Sequence, residues 1–178
     1  MEAVKRIVGE KMLAIFRILL GWLLFWPFLD KMFGLGFQTP AGSGFIDGGS
    51  PSSFVSYVTT GIFADLFNSL AGNFVIDIIL LAALLLGGVA LILGIASKIS
   101  TIGTSVFLIV MYLLCVPPAD NPIIDHRIVL VAGLIACYYL GGFEHFSLYE
   151  KWKGLSIVKR FGTIRISVES LIDLCTID

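Results

Sequence analysis

The chain has 178 residues, of which 57% are hydrophobic and 14% charged, with a formal net charge of −1. Mean hydropathy is +0.96, too apolar for a soluble domain of this size, and the balanced charge offers nucleic acid no electrostatic footprint. Cys115, Cys137 and Cys175 are widely spaced with no CxxC pair, so they support neither a zinc site nor a disulfide framework.

Residues 1–10 carry Lys5 and Arg6 and read as a short cytoplasmic N-terminus ahead of a first membrane helix over 11–33. Basic residues before an apolar run are also the mark of a signal peptide. Here Trp22, Trp26, Pro27 and the pair Asp30-Lys31 follow, without a small-x-small cleavage site, so the helix is read as retained. The segment 34–72 is rich in Gly, Ser and Pro and too polar to span. Within it, Ser50 as N-cap and Pro51 at the first helical position open an amphipathic stretch from Ser52 to Leu70. Phe54, Val58, Ile62, Phe63 and Leu66 recur there at helical spacing, which predicts a short helix on the membrane surface or folded over a bundle.

Twenty uncharged residues lie between Asp77 and Lys98, and twenty-one between Lys98 and Asp120. At about 1.5 Å per residue, each run crosses about 30 Å of hydrocarbon as a helix. These runs predict helices over 74–97 and 99–116, with Lys98 at their turn. Asn121-Pro122 then opens a fourth helix over 122–142. The tail, 143–178, mixes charges with β-branched residues and reads as cytoplasmic, a short amphipathic helix or a strand pair.

The expected fold is an all-α membrane protein, a four-transmembrane-helix antiparallel bundle with an extracytoplasmic loop or short helix between helices one and two. Nine basic residues then fall on one side (Lys5, Arg6, Lys11, Lys98, Lys151, Lys153, Lys159, Arg160, Arg165) and two, Lys31 and Arg127, on the other. The positive-inside bias places both termini in the cytoplasm of a multi-pass cell-membrane protein. Gly133, Cys137 and Gly141 on helix four, and Ala83, Gly87, Ala90 and Gly94 on helix two, form small-residue stripes for close helix packing.

At 100° per residue the helix-four stripe is centred between Asp125 and His126, so both are expected to point into the bundle near its outer rim. With Arg127, and with Asp30 and Lys31 of helix one at matching depth, they make a candidate outer cluster. In one reading these charges cross-pair helices one and four and mark the lipid boundary. In the other they bind a small anion and manage a proton, with His126 and Asp125 catalytic and Lys31, Arg127 and Asp30 binding substrate. Arg17 is read as an interface snorkel, and Tyr138 and Tyr139 as an inner aromatic zone. Trp22 and Trp26, one turn apart, line a quinone-sized groove or contact lipid. His126 and His145 are nineteen residues apart, about 28 Å along a helix, so one chain supplies no bis-His haem ligation. No Gly-rich nucleotide loop follows a strand, so flavin and nicotinamide lack a motif.

The stretch from Trp26-Pro27-Phe28-Leu29-Asp30-Lys31 to Gly34-Leu35-Gly36-Phe37, then Gly48-Gly49-Ser50-Pro51, then Asn121-Pro122-Ile123-Ile124-Asp125-His126, resembles the DoxX/DoxD family of small membrane proteins. The resemblance covers about 11–142. Its G-S-P loop and N-P-x-x-D-H together point to the DoxD branch, the large membrane subunit of archaeal thiosulfate:quinone oxidoreductase. That implies oxidation of thiosulfate to tetrathionate outside, membrane quinone as electron acceptor, and a second, smaller subunit or a homo-oligomer. The alternative is a non-catalytic assembly or anchoring subunit of a respiratory or sulfur-metabolising complex. An anion-conducting oligomer is a third option.

Overall fold

The computed structural model describes residues 2–118, 121 and 123–154, and every regular element among them is helical. Helix α1 spans Glu2–Phe33, starting well before residue 11, and Arg6 and Glu10 pair at 2.8 Å across one of its early turns. Two very short helices, α2 (Val55–Val58) and α3 (Ala64–Asn68), lie in the connection to α4 (Phe74–Leu93). Helix α5 (Ser97–Leu113), helix α6 (His126–Tyr139) and the short α7 (Tyr149–Gly154) complete the order.

Local chemistry sets the helix ends. Asn73 caps α4 by accepting the Val75 amide at 2.9 Å, and Gly94, left-handed at φ 65°, stops it at Leu93 rather than at residue 97. The helix expected over 122–142 begins only at His126. Asn121 spends its side chain on the Ile123 and Ile124 amides, and Asp125 is the actual N-cap, taking the Arg127 amide at 2.8 Å. Helices α1 and α4 are long and apolar enough to cross a membrane, while α5 and α6 are shorter apolar helices. The tail turns through 143–148 and is helical over Tyr149–Gly154; residues 155–178 lie outside the described residues.

The four long helices pack in a closed order, α1 on α4, α4 on α5, α5 on α6 and α6 back on α1. Leu20, Leu24, Leu84, Leu91 and Leu134 fill the centre. The tightest crossing joins α1 and α4 at Gly21 and Gly88, where a Cβ on Gly88 would stand 2.8 Å from the Phe25 amide nitrogen. Gly88 holds this seam; Gly87, in the expected stripe, faces Thr104 of α5 and Leu24. On α6 the stripe meets α1 as expected, Gly133 against the Phe16 ring and Cys137 Sγ 3.4 Å from the Leu13 carbonyl.

The amphipathic stretch 52–70 is not one helix. A 3₁₀ turn over Pro51–Phe54 runs into α2, and the chain then opens at Thr59. There the Thr60 amide donates to the Leu114 carbonyl at 3.0 Å and the Ile62 amide to Val116 at 3.1 Å, with Gly61 at φ 93°. Backbone pairing with the chain just past α5 outcompetes helix continuation, and the strap ties the segment between α1 and α4 to the bundle.

Candidate functional site

Two buried carboxylates, Asp30 and Asp77, organise the end of the bundle where α1 ends and α4 begins. Asp30, in the last turn of α1, accepts the backbone amides of Phe37, Gln38 and Thr39 at 3.2, 3.0 and 2.8 Å. The chain bends into that position through Gly34 and Gly36, both left-handed, and Gly34 packs backbone to backbone on Gly44. Asp77, in the first turn of α4, accepts the Ser50 hydroxyl at 2.8 Å and the Ser52 amide at 2.6 Å. Ser52 in turn accepts the Gly72 amide at 3.0 Å. The Gly48-Gly49-Ser50-Pro51 loop is therefore pinned to α4 and closed by hydrogen bonds at both ends.

Lys31 lies beside these anchors and is only 6% exposed. Its ammonium sits 4.3 Å from the Phe54 ring centroid, and no carboxylate ion-pairs with it among the described residues. It lines a cavity of about 180 Å³ with Gln38, Ser43, Ser50, Ser53 and Tyr57. That volume equals about six waters' share of liquid, room for a small oxoanion. A desolvated cation without a direct ion pair, beside the hydroxyls of Ser43, Ser53 and Tyr57, suits an anion, with the Asp30 and Asp77 carboxylates turned onto the loops behind it.

A second cavity, of about 340 Å³, lies on the other side of the same turn. Leu80 and Ala83 of α4, Val106 and Phe107 of α5, and Phe67 and Leu70 of the outer segment line it, with Ser52 as its polar contribution. Ser50 and Ser53 line the Lys31 cavity while Ser52 and Val55 line the apolar one. One 3₁₀ turn is the partition between them.

The residues expected to form one outer cluster separate into two groups. Asp30 and Lys31 belong to the cavity, Asp30 as the loop anchor behind it. Asp125, His126 and Arg127 form a triplet at the start of α6, with Asp125 accepting from Arg127 and lying 2.6 Å from His126 Nδ1. Among the described residues no hydrogen bond or ion pair links this triplet to Asp30 or Lys31. His126 does not point into the bundle, since its side chain is 73% exposed; as the first residue of α6 it flanks the cap instead of following the small-residue face.

Trp22 is half exposed and stacks with Phe25 and Trp26 on the outer face of α1, away from the apolar cavity. Arg17 is no snorkel. It is fully buried and donates to the carbonyls of Leu91, Gly142, His145 and Phe146 at 2.6–3.1 Å, with its guanidinium over Phe143. Sequence reasoning missed Asp77, Ser50 and Ser53 as site-forming residues. Asp77 carries the available signal, a single carboxylate opening an otherwise apolar helix, opposite a G-S-P loop. Comparison with protein families, with curated proteins and with solved structures returns no match.

Proposed function

We propose that this chain is the membrane subunit of a thiosulfate:quinone oxidoreductase-like complex, with the Lys31 cavity as its anion site. The observation that carries the reading is the buried Lys31 ammonium, unpaired with any carboxylate among the described residues, in a hydroxyl-lined cavity of oxoanion size. The resemblance of the Trp26–Phe37 and Gly48–Pro51 stretches to the DoxD branch supplies the substrate, since those two stretches build the cavity. The four apolar helices form a transmembrane bundle in this reading, with both termini cytoplasmic and the cavity outside, supported by the nine-to-two split of basic residues.

The overall reaction joins two thiosulfate dianions through a new S–S bond as tetrathionate, and the two electrons released, with two protons, reduce a quinone to its quinol. Lys31 lowers the repulsion between the dianions, which is severe at low dielectric. Ser53, whose hydroxyl is not committed to a carboxylate, donates a hydrogen bond to an anion oxygen, while Asp30 holds its loop and Asp77 holds the Ser50 hydroxyl, fixing the turn that presents Ser53. The apolar cavity behind the Pro51–Phe54 turn suits an isoprenoid quinone better than the Trp22–Trp26 face does, because it is concave and reached from the α4–α5 side. Electrons then pass across one turn of backbone or through a partner subunit.

The exposure of His126 favours a second reading for the α6 triplet, as a docking point for that smaller subunit rather than as the catalytic centre. The deciding experiment reconstitutes the complex purified from native membranes and measures thiosulfate-dependent quinone reduction. Activity carried by a preparation containing this chain and a smaller partner supports the reading. A preparation that neither binds thiosulfate nor reduces quinone, with its subunits intact, overturns it in favour of an anchoring subunit.

A further inference from the structure

At the opposite end of the bundle, a cavity of about 400 Å³ lies between the first half of α5 and the last turns of α6. Lys98, in the first turn of α5, stands at its polar end, exposed and without an ion pair among the described residues. One turn deeper comes Thr101, and another turn deeper Ser105, on the same helix face. These two residues are 7% and 9% exposed, and their hydroxyl oxygens are turned away from solvent with no hydrogen-bond partner among the described residues. Ile102 and Ile109 continue the wall, and Tyr138 closes it from α6. No carboxylate lines the cavity.

Along about 16 Å of α5 the wall starts at a cation, passes two unpartnered hydroxyls with Ile102 and Val106 interleaved beside them, and ends at Ile109. That is the polarity profile of a phospholipid, from phosphate through the glycerol esters to an acyl chain. A free phosphate would meet Lys98 but leave the deeper hydroxyls and the isoleucine wall unused. The tyrosine belongs at such a level, because amphipathic rings favour the membrane interface. Basic cavities between helices on the cytoplasmic side are suited to anionic headgroups.

We propose that this cavity binds one anionic phospholipid, with Lys98 meeting its phosphate, Thr101 and Ser105 rotating their unpartnered hydroxyls outward to donate to its ester oxygens, and a chain lying along Ile102 and Ile109. The assignment rests on the transmembrane reading but is independent of the Lys31 cavity. Binding is measured by native mass spectrometry on the full chain in detergent, titrated with dioleoyl phosphatidylglycerol, dioleoyl phosphatidylcholine or glycerol 1-phosphate. Phosphatidylglycerol is expected to bind at least fivefold more tightly than phosphatidylcholine, with glycerol 1-phosphate not retained. Lys98→Gln, at an exposed position, is expected to erase the preference between the two lipids. Thr101→Val with Ser105→Ala is expected to weaken both lipids at least threefold and keep the preference; if that pair does not fold, Ser105→Ala alone carries the arm.

Equal binding of the two lipids, or a preference that survives Lys98→Gln, overturns the proposal and leaves the transmembrane reading intact. Retention of glycerol 1-phosphate as strong as that of the lipid makes the cavity a free-anion site and also overturns it. Release of the chain from membranes by alkaline carbonate overturns the transmembrane reading and this proposal together.

Discussion

Lys31 poses a question of balance. The Phe54 face gives its ammonium about 2 kcal/mol when desolvated. Withdrawing an ammonium from water costs several kcal/mol even after relaxation. The ring alone leaves a deficit, which the charge of neighbouring Asp30 reduces without a direct ion pair, because Asp30 is turned onto three amides and Asp77 onto Ser50 and Ser52. An anion in the cavity is the natural source of the difference. Lys31→Met, which keeps the stem and its contact with Phe54, is expected to weaken thiosulfate binding at least thirtyfold, about 2 kcal/mol, by calorimetry. It should leave the unfolding temperature equal or higher, because a buried charge is gone. His126→Ala is expected to change that affinity less than twofold, since His126 lies outside the cavity. Strong loss of binding in His126→Ala with Lys31→Met unaffected would return the anion site to α6.

Among elements, the glycines separate by what surrounds them. Gly88 has the Phe25 backbone within 2.9 Å of where a Cβ would stand, whereas Gly103, on α5, has nothing within 4 Å. Gly88→Ala should therefore destabilise the bundle by about 1–3 kcal/mol through overpacking of the α1–α4 seam. Gly103→Ala should stabilise it by about 0.5–1 kcal/mol, because alanine orders less chain entropy in a helix. Thermal unfolding of both variants in one detergent checks the opposite signs. The sequence shows both glycines in apolar helices and does not distinguish them, since a helix that is apolar on every side offers no polar face from which to fix the phase of its seam. Helix number and order were legible because long uncharged runs leave few alternatives. The Ser52–Leu70 stretch misled because its helical spacing is real, but residues 60–62 pair with the end of α5, a contact no local pattern encodes. Lys31 was legible as a charge at a helix end. Its burial depends on loops held by Asp30 and Asp77, and Asp77 on its own reads as the border of a hydrophobic run.

For the molecule as a whole, sidedness decides whether the Lys31 cavity can receive an external anion. A cysteine at Ser43, which lines that cavity, is expected to react with an impermeant maleimide on intact cells. A cysteine at Ser156 is expected to react only after permeabilisation, and the reverse pattern would put the cavity in the cytoplasm. The other end of the bundle imposes an order in time. Arg17 is made early, yet its acceptors follow 74 residues later at Leu91 and 125–129 residues later at Gly142, His145 and Phe146. At about 5–20 residues per second, α1 waits roughly 6–25 s on the ribosome before its guanidinium has all its acceptors. A chain ending at residue 140 keeps all four long helices but lacks three of those four carbonyls. It is expected to be cleared faster than the full chain in a pulse-chase, and Arg17→Leu should lengthen the short chain's half-life while shortening that of the full one. The arginine would then act as the checkpoint by which biosynthesis registers that the last turn has arrived.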